Sequence, residues 1–142
     1  MESTRLGLIL DSDYLIAAER QGQSILQILE QIAVAHGGID LGISVIAVAE
    51  LTHGAYRTKA HARQRHRLAF IDRLSKTIPV YPVTLEIARS AGRLEGELAG
   101  RGFTITFEDL AVGVTALQLG FGVATMNRRH YELIPGLDIV SI

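Results

Sequence analysis

The stretch LILDSDYLI, at residues 8–16, places two aspartates inside an apolar run. An aliphatic segment that ends at Asp11, Ser12 and Asp13 and then becomes apolar again is typical of a buried strand that stops at a charged turn. A buried carboxylate without a partner costs several kcal/mol, so acids at the end of a core strand usually face a cation or a water-filled cleft. We expect such a cleft at the end of this first strand.

Outward from this stretch, strand and helix patterns alternate along the chain. Apolar runs rich in β-branched residues predict strands at 6–11, 41–45, 78–83, 122–127 and 137–142. Helical spacing, caps and terminating glycines predict helices over 14–20, 24–36, 46–56, 57–73, 84–100 and 105–120. This alternation predicts an α/β fold: one domain over residues 1–142, in which helices flank a mainly parallel sheet on both faces.

The composition is that of one globular domain. Of the 142 residues, 48% are hydrophobic, which is enough for one core. A formal net charge of −1 is no signature of a nucleic-acid binder, and the absence of cysteine excludes disulfides and thiolate metal sites. Near Glu2 and Arg5 there is no apolar segment of signal-peptide length, and no apolar run approaches the ~20 residues of a membrane span. We therefore expect a soluble, cytoplasmic protein without a membrane partner.

Four oxygen-bearing side chains occupy comparable places in distant parts of the chain. Asp11 ends the first strand and Asn127 follows GVAT, while Glu50 and Asp109 lie in helices just after a strand or a loop. Because ligands of parallel sheets sit beyond the carboxyl ends of the strands, these side chains can converge on one cleft. Oxygen ligands without cysteine or clustered histidine suit Mg²⁺ or Mn²⁺. The pattern therefore predicts a hard-cation site.

Four segments, in this order and at this spacing, resemble the PIN-domain ribonucleases of the VapC type, which are toxins of bacterial toxin–antitoxin pairs. The segments are LILDSDYLI, SVIAVAEL around Glu50, ITFEDLAVGVTAL around Asp109, and VATMNRRHYELIPGLDIV near the end. The resemblance covers essentially the full length. It implies a parallel α/β/α sandwich with an acidic cluster that binds Mg²⁺ or Mn²⁺ for RNA hydrolysis. It also implies a cognate antitoxin, a homodimer, and a tRNA or ribosomal RNA substrate.

The resemblance assigns roles to individual residues. Asp11 and Asp109 match the direct metal ligands, Glu50 matches the acid of the metal site that orients metal-bound water, and Ser12 matches a small hydroxyl residue. The chain departs from the family pattern at two positions: Asp13 replaces a common Asn, and Asn127 occupies the fourth acidic position. Because an amide brings no charge, we expect one metal ion in the absence of substrate phosphate.

The chemistry that follows is hydrolysis by metal-activated water. A metal held by Asp11 and Asp109 can polarise a phosphoryl oxygen and lower the pKa of a bound water, which Glu50 would hold or deprotonate. The ribose 2′-hydroxyl is not needed as the nucleophile in this mechanism. The expected products therefore carry a 5′-phosphate and a 3′-hydroxyl.

Other functions remain alternatives. The segment ILDSDYL imitates the Asp-x-Asp motif of haloacid-dehalogenase-like phosphatases, but their chemistry needs a downstream lysine, and the chain has only Lys59 and Lys76 in a basic segment. A calcium loop that starts at Asp11 fails because Leu15 and Ile16 occupy positions that need an oxygen ligand and glycine. A catalytically silent PIN fold that acts as a binding module is the other alternative, against which the retained acids argue.

Basic residues form two groups. The run RTKAHARQRHRLAFIDR predicts a helix whose positive face is either solvated or bound to RNA phosphates. A second group lies beside Asn127, where His130 is also close enough to contact substrate. The candidate RNA-binding residues are Arg57, Lys59, Arg63, Arg65, Arg67, Arg128 and Arg129.

Several acids also have plainer interpretations. Asp13 is expected chiefly to cap the following helix. Glu108 points about 100° away from Asp109 on a helix and is expected to be a first-turn charge. Glu50 has apolar neighbours, so we expect it to lie away from a solvent-facing surface. If the three proposed metal-site acids converge, their like charges should raise carboxylate pKa values.

Overall fold

The computed structural model describes residues 5–142, and Glu2 lies outside them. The strands in this range are β1 (Gly7–Leu10), β2 (Asp40–Ser44), β3 (Val80–Tyr81), β4 (Gly122–Thr125) and β5 (Ile139–Ser141). They pair in parallel in the order β3-β2-β1-β4-β5. The predicted parallel sheet is confirmed, with β1 at its centre.

Helices connect the strands and cover both faces of the sheet. They are α1 (Ser12–Arg20), α2 (Ile25–His36), α3 (Val45–Arg57), α4 (His61–Thr77), α5 (Leu85–Gly100) and α6 (Phe107–Leu119). A short 3₁₀ helix at Arg128–His130 follows β4. Within the described residues, this arrangement is the α/β/α sandwich that the sequence predicted.

Two apolar cores lie on opposite faces of the sheet. Along β1, Leu8 and Leu10 pack with α1, α2, α3 and α4, whereas Ile9 packs with α5 and α6. This alternation follows from the two-residue period of a strand. Because both faces are covered, β1 is fully buried and reads as a continuous apolar run. A carboxylate placed directly after it starts at the boundary of the core.

Local signals set several helix ends as predicted. The Ser24 hydroxyl accepts from Gln27 N, and the Gln27 side chain accepts from Ser24 N, so α2 begins with a capping box. The Thr84 hydroxyl accepts from Ile87 N at the start of α5. Gly120 ends α6 in the left-handed region, with φ of 71°, which glycine adopts without steric cost.

The predicted helix over 57–73 is wrong at both ends. Arg57 is the last residue of α3, residues 58–60 form a turn, and α4 continues to Thr77. The turn is held by Thr58, whose hydroxyl donates to Gly54 O at 3.2 Å and accepts from the side chain of Arg67 on α4. Packing of α4 back along α3 therefore overrides the continuous helical pattern.

The predicted strand over 78–83 pairs with β2 only at Val80–Tyr81. Pro79 and Pro82 flank this pair and bring no backbone N–H to a ladder, which confines the segment to a short edge strand. Within residues 5–142, no helix is both long and apolar enough to cross a membrane.

Candidate active site

Asp11 and Thr125 meet because they end neighbouring parallel strands. Leu10 pairs with Ala124 in the register of β1 and β4, and Asp11 N donates to Ala124 O at 2.9 Å. The two side chains that follow therefore lie together at the carboxyl edge of the sheet. This edge is where parallel sheets bind ligands.

The Asp11 carboxylate is 6% exposed and accepts two hydrogen bonds. Ser12 N donates to Oδ1 at 2.8 Å, and the Thr125 hydroxyl donates to Oδ2 at 2.8 Å. Burial raises the pKa of Asp11, the Asp13 charge raises it further, and hydrogen bonding lowers it. The pKa of Asp11 is raised as expected, but burial is the largest cause and the like charge that raises it is that of Asp13.

Asp13 does not cap α1, contrary to the expectation. The N-cap is Asp11, which the backbone places one residue before the helix. Asp13 instead lies in the first turn, where its carboxylate accepts from the Thr125 hydroxyl at 3.1 Å and from Met126 N at 3.3 Å. The β4 end supplies these donors, so Asp13 is drawn to the sheet edge beside Asp11.

Asp109 reaches the same edge from the first turn of α6. The Thr106 hydroxyl caps this helix by accepting from Asp109 N at 3.2 Å. Burial raises the pKa of Asp109, the neighbouring His130 opposes this, and the charges of Glu108 and Asp13 raise it. Glu108 is thus exposed in the first turn as predicted, yet its charge acts on the site.

Glu50 lies on α3 at the rim of the cluster. Partial burial of its carboxylate is the largest cause of a raised pKa, and the charges of Asp11 and Asp109 raise this pKa further. A hydrogen bond from the Ser12 side chain lowers it. Glu50 is nonetheless an exposed residue, so the expectation that its apolar neighbours keep it from solvent is wrong. On α3, Ala47 and Leu51 are buried in the core, whereas Glu50 and the adjacent Ala49 are on the exposed side of the helix.

Asn127 and His130 form a contact in the segment after β4. Asn127 Nδ2 lies 2.8 Å from His130 Nε2, and His130 Nδ1 lies 3.4 Å from Asp109 Oδ2. The predicted proximity of His130 to Asn127 is confirmed. Asn127 is exposed and contacts the acids through His130, whereas its backbone N–H donates to the Thr125 hydroxyl at 3.0 Å.

Sequence reasoning overlooked Thr125 and Tyr131. Thr125 is fully buried and is the shared donor of Asp11 and Asp13, and the only local signal for it was its place as the last residue of GVAT. Tyr131 is also fully buried, and it is close enough to Asp11 and Asp109 for their charges to raise its pKa. An aromatic residue beside a charged segment usually indicates only core packing, so its sequence carried no signal of a site.

The structure separates the candidate basic residues. Arg67 is half-buried and forms an ion pair with the buried Glu19 at 3.6 Å, so it is a structural residue rather than part of a solvated or RNA-facing surface. Arg128 is tied to β5, where it donates to Ile139 O at 2.9 Å. Arg128 is nevertheless exposed, as are the remaining candidates: Arg57, Lys59, Arg63, Arg65 and Arg129.

The donor chemistry of the cluster fits a divalent cation. Asp11, Glu50 and Asp109 supply hard oxygen atoms, and burial together with neighbouring acidic charges disfavours their ionised forms, which a cation would reverse. Within residues 5–142, the Asp, Glu and His side chains form no ready-made group of three metal ligands. The set therefore fits an ion that takes one or two carboxylates and keeps water for the remaining positions.

A protein family, several relatives and several solved structures are similar to this chain over most of its length. A family model described as PIN domain matches residues 8–134. The chain is 28% identical over 137 residues to Ribonuclease VapC1 of Rickettsia felis, covering 96% of this chain and 97% of the relative. It is 31% identical over 97 residues to the tRNA(fMet)-specific endonuclease VapC of Salmonella typhimurium, covering 68% and 71% respectively. The crystal structure of DNA-bound VapBC from Salmonella typhimurium matches with a TM-score of 0.75 and 26% identity, over 94% of this chain and 96% of that one.

Proposed function

The chain belongs to the PIN-domain family, and from this membership we propose that it is a metal-dependent endoribonuclease and the toxin of a toxin–antitoxin pair. The observation that carries the proposal is the convergence of three acids, Asp11, Glu50 and Asp109, on one sheet edge, each with a raised carboxylate pKa. The ribonuclease names of the similar VapC proteins support the same activity.

Each acid has a distinct role in the proposal. Asp11 and Asp109 would hold one Mg²⁺ or Mn²⁺ ion, because both are less exposed than Glu50. Asp11 directly follows β1, and Asp109 lies in the first turn of α6. Glu50, at the open rim, orients the attacking water and accepts its proton. Ser12 and Asp13 support Asp11 from α1, and Asn127 acts at the fourth position without charge.

The bound cation supplies charge neutralisation at the phosphodiester and a lowered water pKa. The residues of the chain do the rest: Thr125 and Ser12 keep the Asp11 carboxylate oriented by hydrogen bonding. Glu50 takes the proton from water, and its raised pKa brings it closer to neutral pH, where a base is most effective. The resulting fragments carry a 5′-phosphate and a 3′-hydroxyl.

Partners follow from the same proposal. The substrate is RNA, with a tRNA or a ribosomal RNA loop as the expected class, and exposed Arg63, Arg65 and Arg129 are candidates for phosphate contacts. We also propose a cognate antitoxin, which agrees with a toxin–antitoxin complex from Klebsiella pneumoniae among the structures of similar fold. A homodimer of this single domain, residues 1–142, acts in the cytoplasm, where these RNAs reside.

The alternative of an aspartyl phosphatase has no support from the positions of the lysines. Lys76 pairs with Asp72 at 3.0 Å near the C-terminal end of α4, and Lys59 is exposed in the α3–α4 turn. Within residues 5–142, neither lysine forms an ion pair or hydrogen bond with Asp11 or Asp109. The lysine that would stabilise a phosphoryl intermediate is therefore not found at these acids.

The test is cleavage of total cellular RNA by the purified protein, followed by mapping of new 5′ ends. We expect discrete cuts in Mg²⁺ or Mn²⁺, none in excess EDTA, and none with Asp11→Asn. The matched control is Asp72→Asn, which removes an exposed carboxylate far from the site and should cut normally. Undiminished cleavage in EDTA would refute the metal mechanism, and no cleavage under any metal would leave the binding-module alternative.

A further inference from the structure

Tyr131 is a fully buried tyrosine with an unsatisfied hydroxyl. Its side chain is 0% exposed, and within residues 5–142 its hydroxyl lacks a partner in full hydrogen-bond geometry. Buried polar groups are nearly always hydrogen-bonded, because an unmade bond leaves the cost of desolvation uncompensated. A phenylalanine would fill the same space without this cost. The hydroxyl therefore calls for an explanation.

The fold holds this hydroxyl beneath the carboxylates. The segment that carries Tyr131 packs on α6 at Gly113, where any β-carbon would overlap Ile134 and lie 3.6 Å from the Tyr131 ring. Burial raises the pKa of Tyr131, and the nearby charges of Asp11 and Asp109 raise it further. A tyrosine phenol is protonated at neutral pH, so towards these anions it can only act as a hydrogen-bond donor. The Tyr131 hydroxyl is near enough to Asp11 to lower the pKa of that carboxyl, although no hydrogen bond of full geometry joins the two groups.

The Asp11 carboxylate shares one of its hydrogen-bond donors with Asp13. Its Oδ2 accepts from the Thr125 hydroxyl at 2.8 Å, but the same hydroxyl lies 3.1 Å from Asp13 Oδ2. A hydroxyl has one proton, so it can serve only one of the two carboxylates fully at a time. When the proton is directed to Asp13, Asp11 loses a donor. Tyr131 is the other hydroxyl that faces Asp11.

We propose that Tyr131 is a positioning residue whose hydroxyl donates to the Asp11 carboxylate when Asp11 holds the divalent cation. This inference rests on the proposed function, since it assigns Tyr131 a role in the same site. Loss of a hydrogen-bond partner that orients a metal ligand commonly weakens metal affinity by about 10- to 100-fold. The metal-free protein retains an unsatisfied hydroxyl, and the metal-bound protein satisfies it.

The proposal makes two predictions of opposite sign for Tyr131→Phe. Without metal, the variant should melt at the same temperature as the natural protein or higher, because an unsatisfied buried group is removed. With metal, calorimetry should give a Kd for Mn²⁺ about 10- to 100-fold weaker. A tyrosine that only packs the core predicts neither change in affinity nor a gain in melting temperature.

The matched control is Tyr81→Phe. Tyr81 lies on β3 and packs edge-on against Phe121 in the same apolar core as Tyr131, but at the edge strand of the sheet. This variant should bind Mn²⁺ like the natural protein. In RNA cleavage at saturating Mn²⁺, Tyr131→Phe should lower kcat while KM for RNA stays unchanged, because Tyr131 is buried and does not face the substrate.

The outcomes separate this inference from the proposed function. Natural protein that binds no divalent cation would overturn the proposed function and the role of Tyr131 with it. If the natural protein binds Mn²⁺ and Tyr131→Phe binds it equally well, only the role of Tyr131 is refuted. A lowered melting temperature with unchanged affinity would mark Tyr131 as a packing residue and refute the role as well.

Discussion

The Thr125 hydroxyl donates to Asp11 Oδ2 at 2.8 Å across 114 residues of sequence. The same hydroxyl lies 3.1 Å from Asp13 Oδ2, so one fully buried threonine serves two acids from the strand beside them. Thr125 therefore couples the end of β4 to the start of α1. A site built in this way depends on the sheet register as much as on the acids themselves.

Thr125→Val should lower stability and activity together. The change preserves shape but leaves two carboxylates without their shared donor, at a cost of about 1–3 kcal/mol in the free energy of unfolding. Urea unfolding at neutral pH measures the loss. The matched control is Thr115→Val, since Thr115 is also buried and donates within α6 to Ala111 O. Equal RNA cleavage by both variants would contradict a role for Thr125 in the site.

Asp109→Asn should abolish RNA cleavage while the fold is retained. The substitution removes a proposed ligand charge and little volume, and loss of several kcal/mol of transition-state stabilisation corresponds to at least about 100-fold in rate. Single-turnover cleavage of the mapped RNA measures it. Glu108→Gln, one residue away, should retain most activity, because Glu108 affects the site only through its charge, which raises the pKa of Asp109. Comparable losses in both variants would mean that the ligand assignment is wrong.

The metal-free protein should lose stability as its proposed ligands ionise. The folded pKa of Asp11 is raised above its ordinary value of 3.8, so folding favours protonated Asp11. This favourable contribution is complete below pH 3.8 and disappears as pH rises through the raised folded value. In EDTA, Asp11→Asn should therefore gain stability relative to the natural protein from pH 4 to pH 8. A difference that stays flat across this range would exclude the raised pKa.

Metal should reverse this loss with the stoichiometry of one site. A cation that binds only the folded state stabilises it by about 2.7 kcal/mol at 100 times its Kd. The melting temperature should rise with Mn²⁺ concentration, and calorimetry should count one ion with modest affinity. Asn127→Asp adds a carboxylate beside His130 and should tighten binding or admit a second ion. Two tight ions in the natural protein would contradict the effect assigned to Asn127.

Two arginines on α4 should respond in opposite ways. Arg67→Gln leaves the buried Glu19 carboxylate without its arginine partner and should cost about 1–3 kcal/mol of stability. Arg63→Gln, at an exposed position, should change stability by no more than about 0.5 kcal/mol. If Arg63 contacts a phosphate, its loss should reduce the slope of RNA affinity against salt by about 0.7. An unchanged slope would identify this face as simply solvated.

The sequence by itself determined the order of elements and the positions of the proposed ligands. Alternating patterns predicted a parallel sheet, and the capping residue Thr84 and the terminating Gly120 marked helix ends. These signals are local: capping, turn chemistry and periodicity act within a few residues, so they are legible in one dimension. The place of Asp11 at the carboxyl edge of the sheet also followed from the sequence, because the ends of parallel strands share one edge.

Only the tertiary structure decided how the side chains around those ligands are used. Asp13 turns to Thr125 and Met126 rather than capping α1, and Arg67 pairs with Glu19 although its neighbours on α4 are exposed. The buried hydroxyl of Tyr131 beneath Asp11 likewise had no local signal. Each of these depends on residues that are distant in sequence, and hydrogen bonds and burial at such contacts outweigh the weak preferences of a short segment.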